Sequence, residues 1–353
     1  MQKEIRQLVA KAIEDTVFPG VEIFFAQGEE ILYHECFGTY DIHNASAALE
    51  KCSIFDLASL TKPIATSAAI VHLVDNKKLT FHEPLTKIIP EFFSHEKKKI
   101  TLLHLLTHTS GLPAWKDLYS PCFDKHLGWK KLCNCTLDSP PGQKVIYSCL
   151  GFLVLSEIVR RISGMSLSDY CQRHIFGPIQ AEQLRFRPGE NCKKIVPTAY
   201  CPLRRRYLRG IVHDENAYLF DEEGGNAGLF GTVRNIYKFC RMIFGEGTIN
   251  GETILSQQAV RYWTKNHLPK HLVPRALGWD INSRREEYRS CGEKMPINGL
   301  GHTGFTGTSL WIDKRTELVV IILSNRVNIS REGNLALMSA FRPRIHDMLF
   351  SML

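Results

Sequence analysis

Ser59-Leu60-Thr61-Lys62 sets a hydroxyl and an amine three residues apart, at the head of an apolar run. A serine hydroxyl is a poor nucleophile at neutral pH and needs a base within hydrogen-bond reach, about 2.6–3.2 Å. Residues 64–73 are good helix formers and end in Asp75-Asn76-Lys77-Lys78, so Ser59 is expected in the first turn of a long helix, with Lys62 on the same face. A lysine can act as base only if desolvation or nearby positive charge lowers its pKa. Leu57, Ala58, Ile64, Ala65 and Ala69 supply apolar surroundings, and Pro63 fits an early helical position where a backbone donor is least missed. The positive end of the helix would favour the alkoxide. Alone, Ser-x-x-Lys is a common tetrad, and two later stretches give it context. Tyr147 stands between the loop at Pro140-Pro141-Gly142 and a helix with Leu150, Leu153, Val154, Ile158 and Ile162 on one face, a junction from which a side chain can point into a cleft. His302-Thr303-Gly304 lies inside the glycine-rich stretch 299–307, where a backbone can come close to a ligand.

Other reactive types read as structural. His104 and His108 are four apart, a zinc-ligand spacing on a helix, but the metalloprotease pattern has Glu where Leu105 stands. They read as satisfied histidines closing a helix before Gly111, and no metal is expected. Gly224-Gly225-Asn226-Ala227-Gly228 lacks the Gly-Lys-Ser/Thr ending of a phosphate loop and reads as a close-packed entry to a helix over 235–244, so no nucleotide cofactor is expected. The 11 cysteines are odd in number and irregularly spaced, which predicts mostly buried free thiols. Net charge is +8, with runs at Lys97-Lys98-Lys99 and Arg204-Arg205-Arg206. No aromatic-interleaved basic patch accompanies them, so nucleic acid is not expected as a partner, while attraction to carboxylate-bearing ligands stays open.

The elements that must carry these residues form an α+β pattern. Of 353 residues, 44% are hydrophobic and 23% charged, an ordinary folded composition. Residues 5–14 show a helical apolar stripe, and 21–26 and 30–37 read as a hairpin, followed by a loop over 41–51. Residues 276–280, 310–313 and 318–323 read as strands, and 335–353 as an apolar helix that docks on the sheet, with a membrane-surface role for Met348-Leu349-Phe350 as the minor alternative. An antiparallel sheet region, 1–58 and 270–353, thus comes from both chain ends, with a mainly helical region, 59–269, inserted between. The whole of 1–353 is expected to pack as one unit, with Ser59, Tyr147 and His302 at the seam. No segment approaches the roughly 18 apolar residues of a membrane span, and the first residues lack a secretory signal, so a cytoplasmic address is expected.

Taken in order, Ser59-x-x-Lys62, Tyr147-Ser148-Cys149 and His302-Thr303-Gly304 resemble the active-site motifs of the penicillin-binding proteins and serine β-lactamases, chiefly class C enzymes, D-alanyl-D-alanine carboxypeptidases and related esterases. The resemblance covers about residues 17–330. It implies an acylated nucleophile at Ser59, with Lys62 as proton acceptor or tuner and Tyr147 exchanging protons with Ser59 and the leaving amine. It also implies an oxyanion hole made by the backbone N–H groups of Ser59 and Phe305, with His302 and Thr303 holding a substrate carboxylate beside Gly304. Cys149 stands where the family has asparagine, and a thiol is a weak substitute for an amide that orients the substrate. His302 replaces the commoner lysine and carries less fixed charge. The expected activity is that of a D-Ala-D-Ala carboxypeptidase-like serine peptidase acylated by β-lactams. A carboxylesterase or weak β-lactamase is the alternative, and a non-catalytic penicillin-binding sensor the third reading.

Overall fold

Both chain ends carry runs that are apolar on both faces, and such runs are stable only as strands covered from two sides. In the computed structural model, which describes residues 1–283 and 288–353, β1 (Gly20–Gln27) and β2 (Glu30–Asp41) form the expected antiparallel hairpin. The segment read as a loop contributes a further strand, β3 (Asn44–Ala48), on the outer side of β2. The far end of the chain supplies β4 (Arg275–Ala276), β5 (Trp279–Ile281), β6 (Leu300–Thr303), β7 (Ser309–Asp313) and β8 (Leu318–Ser324). The order across this 8-stranded sheet is β4-β5-β6-β7-β8-β1-β2-β3, and β8 pairs with β1 to join the two ends.

Two departures have local causes. The single strand read over 276–280 is a tight hairpin, because Gly278 takes a left-handed conformation (φ +78°) and donates its N–H to Leu106 O at 2.8 Å instead of to a neighbouring strand. The glycine stretch before β7 contains a strand of its own, β6, which brings His302 into the sheet.

The principal helices are α1 (Gln2–Glu14), α2 (Ala68–Asp75), α3 (Cys149–Ser163), α4 (Val233–Phe244) and α5 (Leu335–Phe350). Strand alternation sends Val21, Ile23 and Phe25 to one face, where they pack with Ile5 and Val9 of α1 and Met338, Phe341, Ile345 and Leu349 of α5. Each such fully buried side chain contributes on the order of 1.5–3 kcal/mol. Leu349 and Phe350 are therefore core residues of a docked helix, and the membrane-surface alternative for this segment does not hold. Phe24, Ala26, Leu310 and Ile321 face the other way and join a larger apolar cluster that continues through α2, α3 and α4. Ser148 caps α3 by accepting the Gly151 N–H at 3.2 Å, and Gly164 ends it in a left-handed conformation (φ +73°). All 11 cysteines are free, six of them buried. No helix among the described residues is long and apolar enough to cross a membrane.

Candidate active site

The chain reaches Ser59 through a strained corner. A short strand, Phe55–Asp56, pairs with Leu229–Gly231, and then Ala58 turns left-handed (φ +47°), which costs on the order of 1–2 kcal/mol for a residue with a Cβ. The corner is held by the Ala58 N–H donating to Asp56 Oδ1 at 2.8 Å and the Thr61 hydroxyl donating to Ala58 O at 2.6 Å. Asp56 Oδ2 also accepts the His213 N–H at 2.8 Å, and burial still pushes this carboxyl up to about 6. Ser59 lies in a 3-10 turn, Ala58–Leu60, followed by a wide π-type segment, Lys62–Ser67, before α2 begins. The expected single helix is thus three windings in succession, and widened turns of this kind recur at functional sites.

Lys62 is fully buried, and its ammonium donates to Ser59 Oγ at 3.0 Å and to Asn226 O at 2.9 Å. It lies 4.9 Å from the centre of the Tyr147 ring and 5.7 Å from that of Phe152. Tyr147 interacts through its hydroxyl with both Lys62 and Ser59. Burial is the largest influence on both titrating groups. It pushes the Tyr147 phenol up, with Lys62 pulling part of the way back. It pushes Lys62 down, but Cys149, Tyr147 and Asp214 together leave the ammonium above its ordinary value. The lowered lysine expected from apolar surroundings is therefore not what these surroundings produce, because the Coulombic attraction of acidic neighbours and the Tyr147 hydrogen bond together outweigh desolvation. The resting pair is ammonium and phenol.

The third motif is stitched to the nucleophile segment. Thr306 Oγ1 donates to Asp56 O at 2.8 Å and Thr308 Oγ1 to Leu57 O at 3.1 Å. Gly304 leaves no room for a side chain, since a Cβ would stand 2.8 Å from Leu57 O and 3.3 Å from Ala58 Cβ. Phe305, the next residue, lies with its ring 4.6 Å from the Arg326 guanidinium and stacks on His213. The His302 ring is 5.7 Å from that of Tyr147. Its Nδ1–H donates to Thr303 O at 2.8 Å, which leaves a lone pair on Nε2, and burial pushes its pKa down to about 3. His302 is thus a neutral imidazole at ordinary pH. Cys149 opens α3 with its N–H on Ala114 O at 2.9 Å, and its side chain is half-buried. Ser59, Lys62, Tyr147, Cys149 and His302 come together at this seam, Gly304 packs against the corner before Ser59, and Thr303 and Phe305 flank it.

The arrangement sets a hydroxyl beside a desolvated lysine–tyrosine pair, groups of the kind that acyl transfer uses. Among the described residues no group of histidine, cysteine and carboxylate side chains could hold a metal. His104 serves instead in a capping box with Thr101, and His108 lies beyond the end of that helix, so their spacing of four is not a helical one.

The family model for Beta-lactamase matches residues 5–340. The chain belongs to that family. It is similar to the "N-acetylmuramyl-L-alanine amidase" of Bacillus subtilis (strain 168), 26% identical with 92% of this chain and 80% of the relative covered. It is also similar to the "Putative D-alanyl-D-alanine carboxypeptidase" of Escherichia coli (strain K12), again 26% identical, with 88% and 79% covered. Among solved structures, "EstCE1, a hydrolase with promiscuous acyltransferase activity" shares the fold with a TM-score of 0.77 at 17% identity, covering 99% of this chain and 98% of that one. An octameric penicillin-binding protein homologue from Pyrococcus abyssi does so with a TM-score of 0.73 at 19% identity, covering 97% and 78%. The chain is a serine hydrolase of this family, with the α+β fold read from its sequence.

Two parts of the site were not assigned to it from the sequence. The carbonyl of Asn226 that holds Lys62 is a main-chain atom, and the signal for it is the adjacent glycine pair. Gly225 is left-handed (φ +79°), and a Cβ there would lie 2.6 Å from Phe152 O, so only glycine lets this turn approach α3. The second is His108, packed against Tyr147. A cavity of about 990 Å³ opens elsewhere, on the outer face of α3 beside Arg160, Arg161, Arg187, Glu157 and Glu223.

Proposed function

We propose that this serine hydrolase is an amidase of cell-wall fragments that forms an acyl-enzyme on Ser59, with the bond between N-acetylmuramyl and L-alanine as its target. The reaction rests on one observation, the buried ammonium of Lys62 at 3.0 Å from Ser59 Oγ with Tyr147 beside it. Once the Lys62–Tyr147 pair has lost one proton, Ser59 Oγ attacks the carbonyl carbon and its proton passes to the pair. The C–O bond forms, and the negative charge moves to the carbonyl oxygen, where the N–H groups of Ser59 and Phe305 receive it. The tetrahedral intermediate collapses, the C–N bond breaks, and the leaving amine takes the proton from Tyr147. Water then repeats the sequence: its proton goes to the pair, the ester C–O bond breaks, and Ser59 Oγ is reprotonated.

The choice of bond follows from His302. A carboxypeptidase must accept a free carboxylate next to the scissile bond, which calls for a cation, and His302 is neutral and presents a lone pair. An amide whose leaving residue continues into a peptide places no such charge there. The name of the Bacillus subtilis relative, an N-acetylmuramyl-L-alanine amidase, supports the same reading. A second reading, release of terminal D-alanine, is supported by the Escherichia coli relative and by the Thr303 hydroxyl, which stands beside His302 on β6. Chromatography of digests of an N-acetylmuramyl-L-alanyl peptide and of a peptide ending in D-Ala-D-Ala separates them. The free sugar acid should form only with Ser59 intact. Release of D-alanine without any cleavage at N-acetylmuramyl would overturn the first reading in favour of the second.

A further inference from the structure

Tyr147 is gripped by one residue on both sides. The carbonyl of His108 accepts the Ile146 N–H at 2.8 Å, and His108 Nδ1 accepts the Ser148 N–H at 3.0 Å. The main chain is thereby fixed immediately before and immediately after the phenol-bearing residue. The imidazole itself lies against the Tyr147 ring, centroids 4.6 Å apart, with Phe152 5.1 Å away. Phe152 is also the ring beneath the Lys62 ammonium. To make both hydrogen bonds His108 adopts a left-handed conformation (φ +58°), one that a residue with a Cβ takes only when its surroundings compel it.

The hydrogen bond from Ser148 also selects a tautomer. Nδ1 must carry a lone pair, so the proton is on Nε2, and protonating both nitrogens would break the bond. Burial keeps the ring neutral, aided by the positive charges of Arg275 and Lys62 and by the nearby His302. Side chains that merely fill this space need no acceptor at Nδ1, which gives the idea a sharp test.

We propose that His108 is a positioning residue that sets the Tyr147 phenol against Ser59 and Lys62 through an acceptor at Nδ1 and a carbonyl on the opposite side. A phenol displaced by about 1 Å costs on the order of 10²-fold in rate. The proposal builds on the acyl-transfer reading above, and its test separates the two.

The burst of p-nitrophenolate from p-nitrophenyl acetate is compared in the wild type, Ser59→Ala, His108→Asn and His108→Leu. Asparagine keeps an acceptor near the Nδ1 position, while leucine keeps bulk and has none. His108→Leu should lower the acylation rate about 10²-fold with KM changed by no more than about two-fold, and His108→Asn should recover about ten-fold of that loss. A leucine variant faster than the asparagine variant means that His108 only fills space, which overturns the proposal. The 15N shifts of the imidazole in the wild type give a second measurement that depends neither on folding of a variant nor on activity. An unprotonated Nδ1 coupled to the Ser148 amide is the expected result, and a protonated Nδ1 overturns the proposal. A burst that survives in Ser59→Ala counts against the acyl-transfer reading alone, since the 15N result stands apart from it.

Discussion

Cations lie on the two sides of α3 in opposite circumstances. On the outer face Arg160 and Arg161 share Glu157, and Arg161 also reaches Glu91, all partly exposed beside the 990 Å³ cavity. On the inner side Lys62 is sealed from water, and among the described residues its polar partners are the Ser59 and Tyr147 hydroxyls and the Asn226 carbonyl, with no carboxylate in ion-pair range. A cation matched to carboxylates spends its field on them. One matched to a serine and a tyrosine leaves its field acting on the two groups that must exchange a proton. The outer cavity is thus lined by cations already matched to carboxylates, and the uncompensated charge lies on the inner side, beside Ser59.

Lys62→Met is the strongest way to break this contrast. Removing the inner cation should lower acylation by about 10²–10⁴-fold in stopped-flow assays. In urea melts the same change should leave stability unchanged or raise it by about 1 kcal/mol or more, because an apolar side chain replaces a buried charge. A variant that is unstable yet active would show that the two faces do not differ in kind.

The resting charge state sharpens the contrast next. Lys62 and Tyr147 both titrate above their ordinary values, so at neutral pH the pair holds one proton more than acylation requires. The acylation rate should climb about tenfold per pH unit on the acid side of the pair's first ionisation. Burst amplitudes followed from neutral to alkaline pH measure this, and a flat profile would mean that another group takes the serine proton.

Much of this site was legible because its chemistry is written in side chains. A serine, a lysine, a tyrosine and a histidine at wide separations can be read in order, and β-branched runs such as that of β8 announce a buried sheet. The grip on Lys62 and Tyr147 was not legible, since half of it is made by the carbonyls of Asn226 and His108, which any residue possesses, and the other half by a His108 ring nitrogen that only the folded chain brings to Ser148. The charge state of Lys62 was misjudged for a related reason. Apolar neighbours in sequence argue for desolvation, whereas Cys149, Tyr147 and Asp214 arrive from elsewhere in the chain and reverse the balance. The hairpin of β4 and β5 was missed because only tertiary packing against Leu106 explains why Gly278 turns.

Acid stability probes the dry inner face through its histidines. His302 titrates at about 3 when folded, well below the ordinary value of 6.5. Between those values the unfolded chain binds the proton and the folded one does not, so stability is full above 6.5 and falls as pH drops toward 3. The slope is up to about 1.4 kcal/mol per unit for each such group, and His346 adds to it with its own depressed value of about 3. Asp56 acts in the opposite sense, since its raised value of about 6 lets the folded state gain a proton first. Urea midpoints taken from neutral to mildly acid pH should fall in the wild type and fall less in His302→Asn. Equal slopes would remove His302 from the account.

The smallest effect belongs to the outer face. Arg161→Met should cost about 1 kcal/mol of stability, as expected for a partly exposed ion-pair network, and leave turnover within about two-fold. A large loss of activity would tie the outer cavity to the reaction and erase the distinction.

Intact-protein mass spectrometry during incubation with a fluorescent penicillin or an activated aryl ester tests the central claim most directly, with peptide mapping to locate the added mass. The account predicts one acyl group per chain, carried on the peptide containing Ser59 and absent from Ser59→Ala. Stoichiometric acylation on any other residue, or labelling that persists in Ser59→Ala, would contradict it.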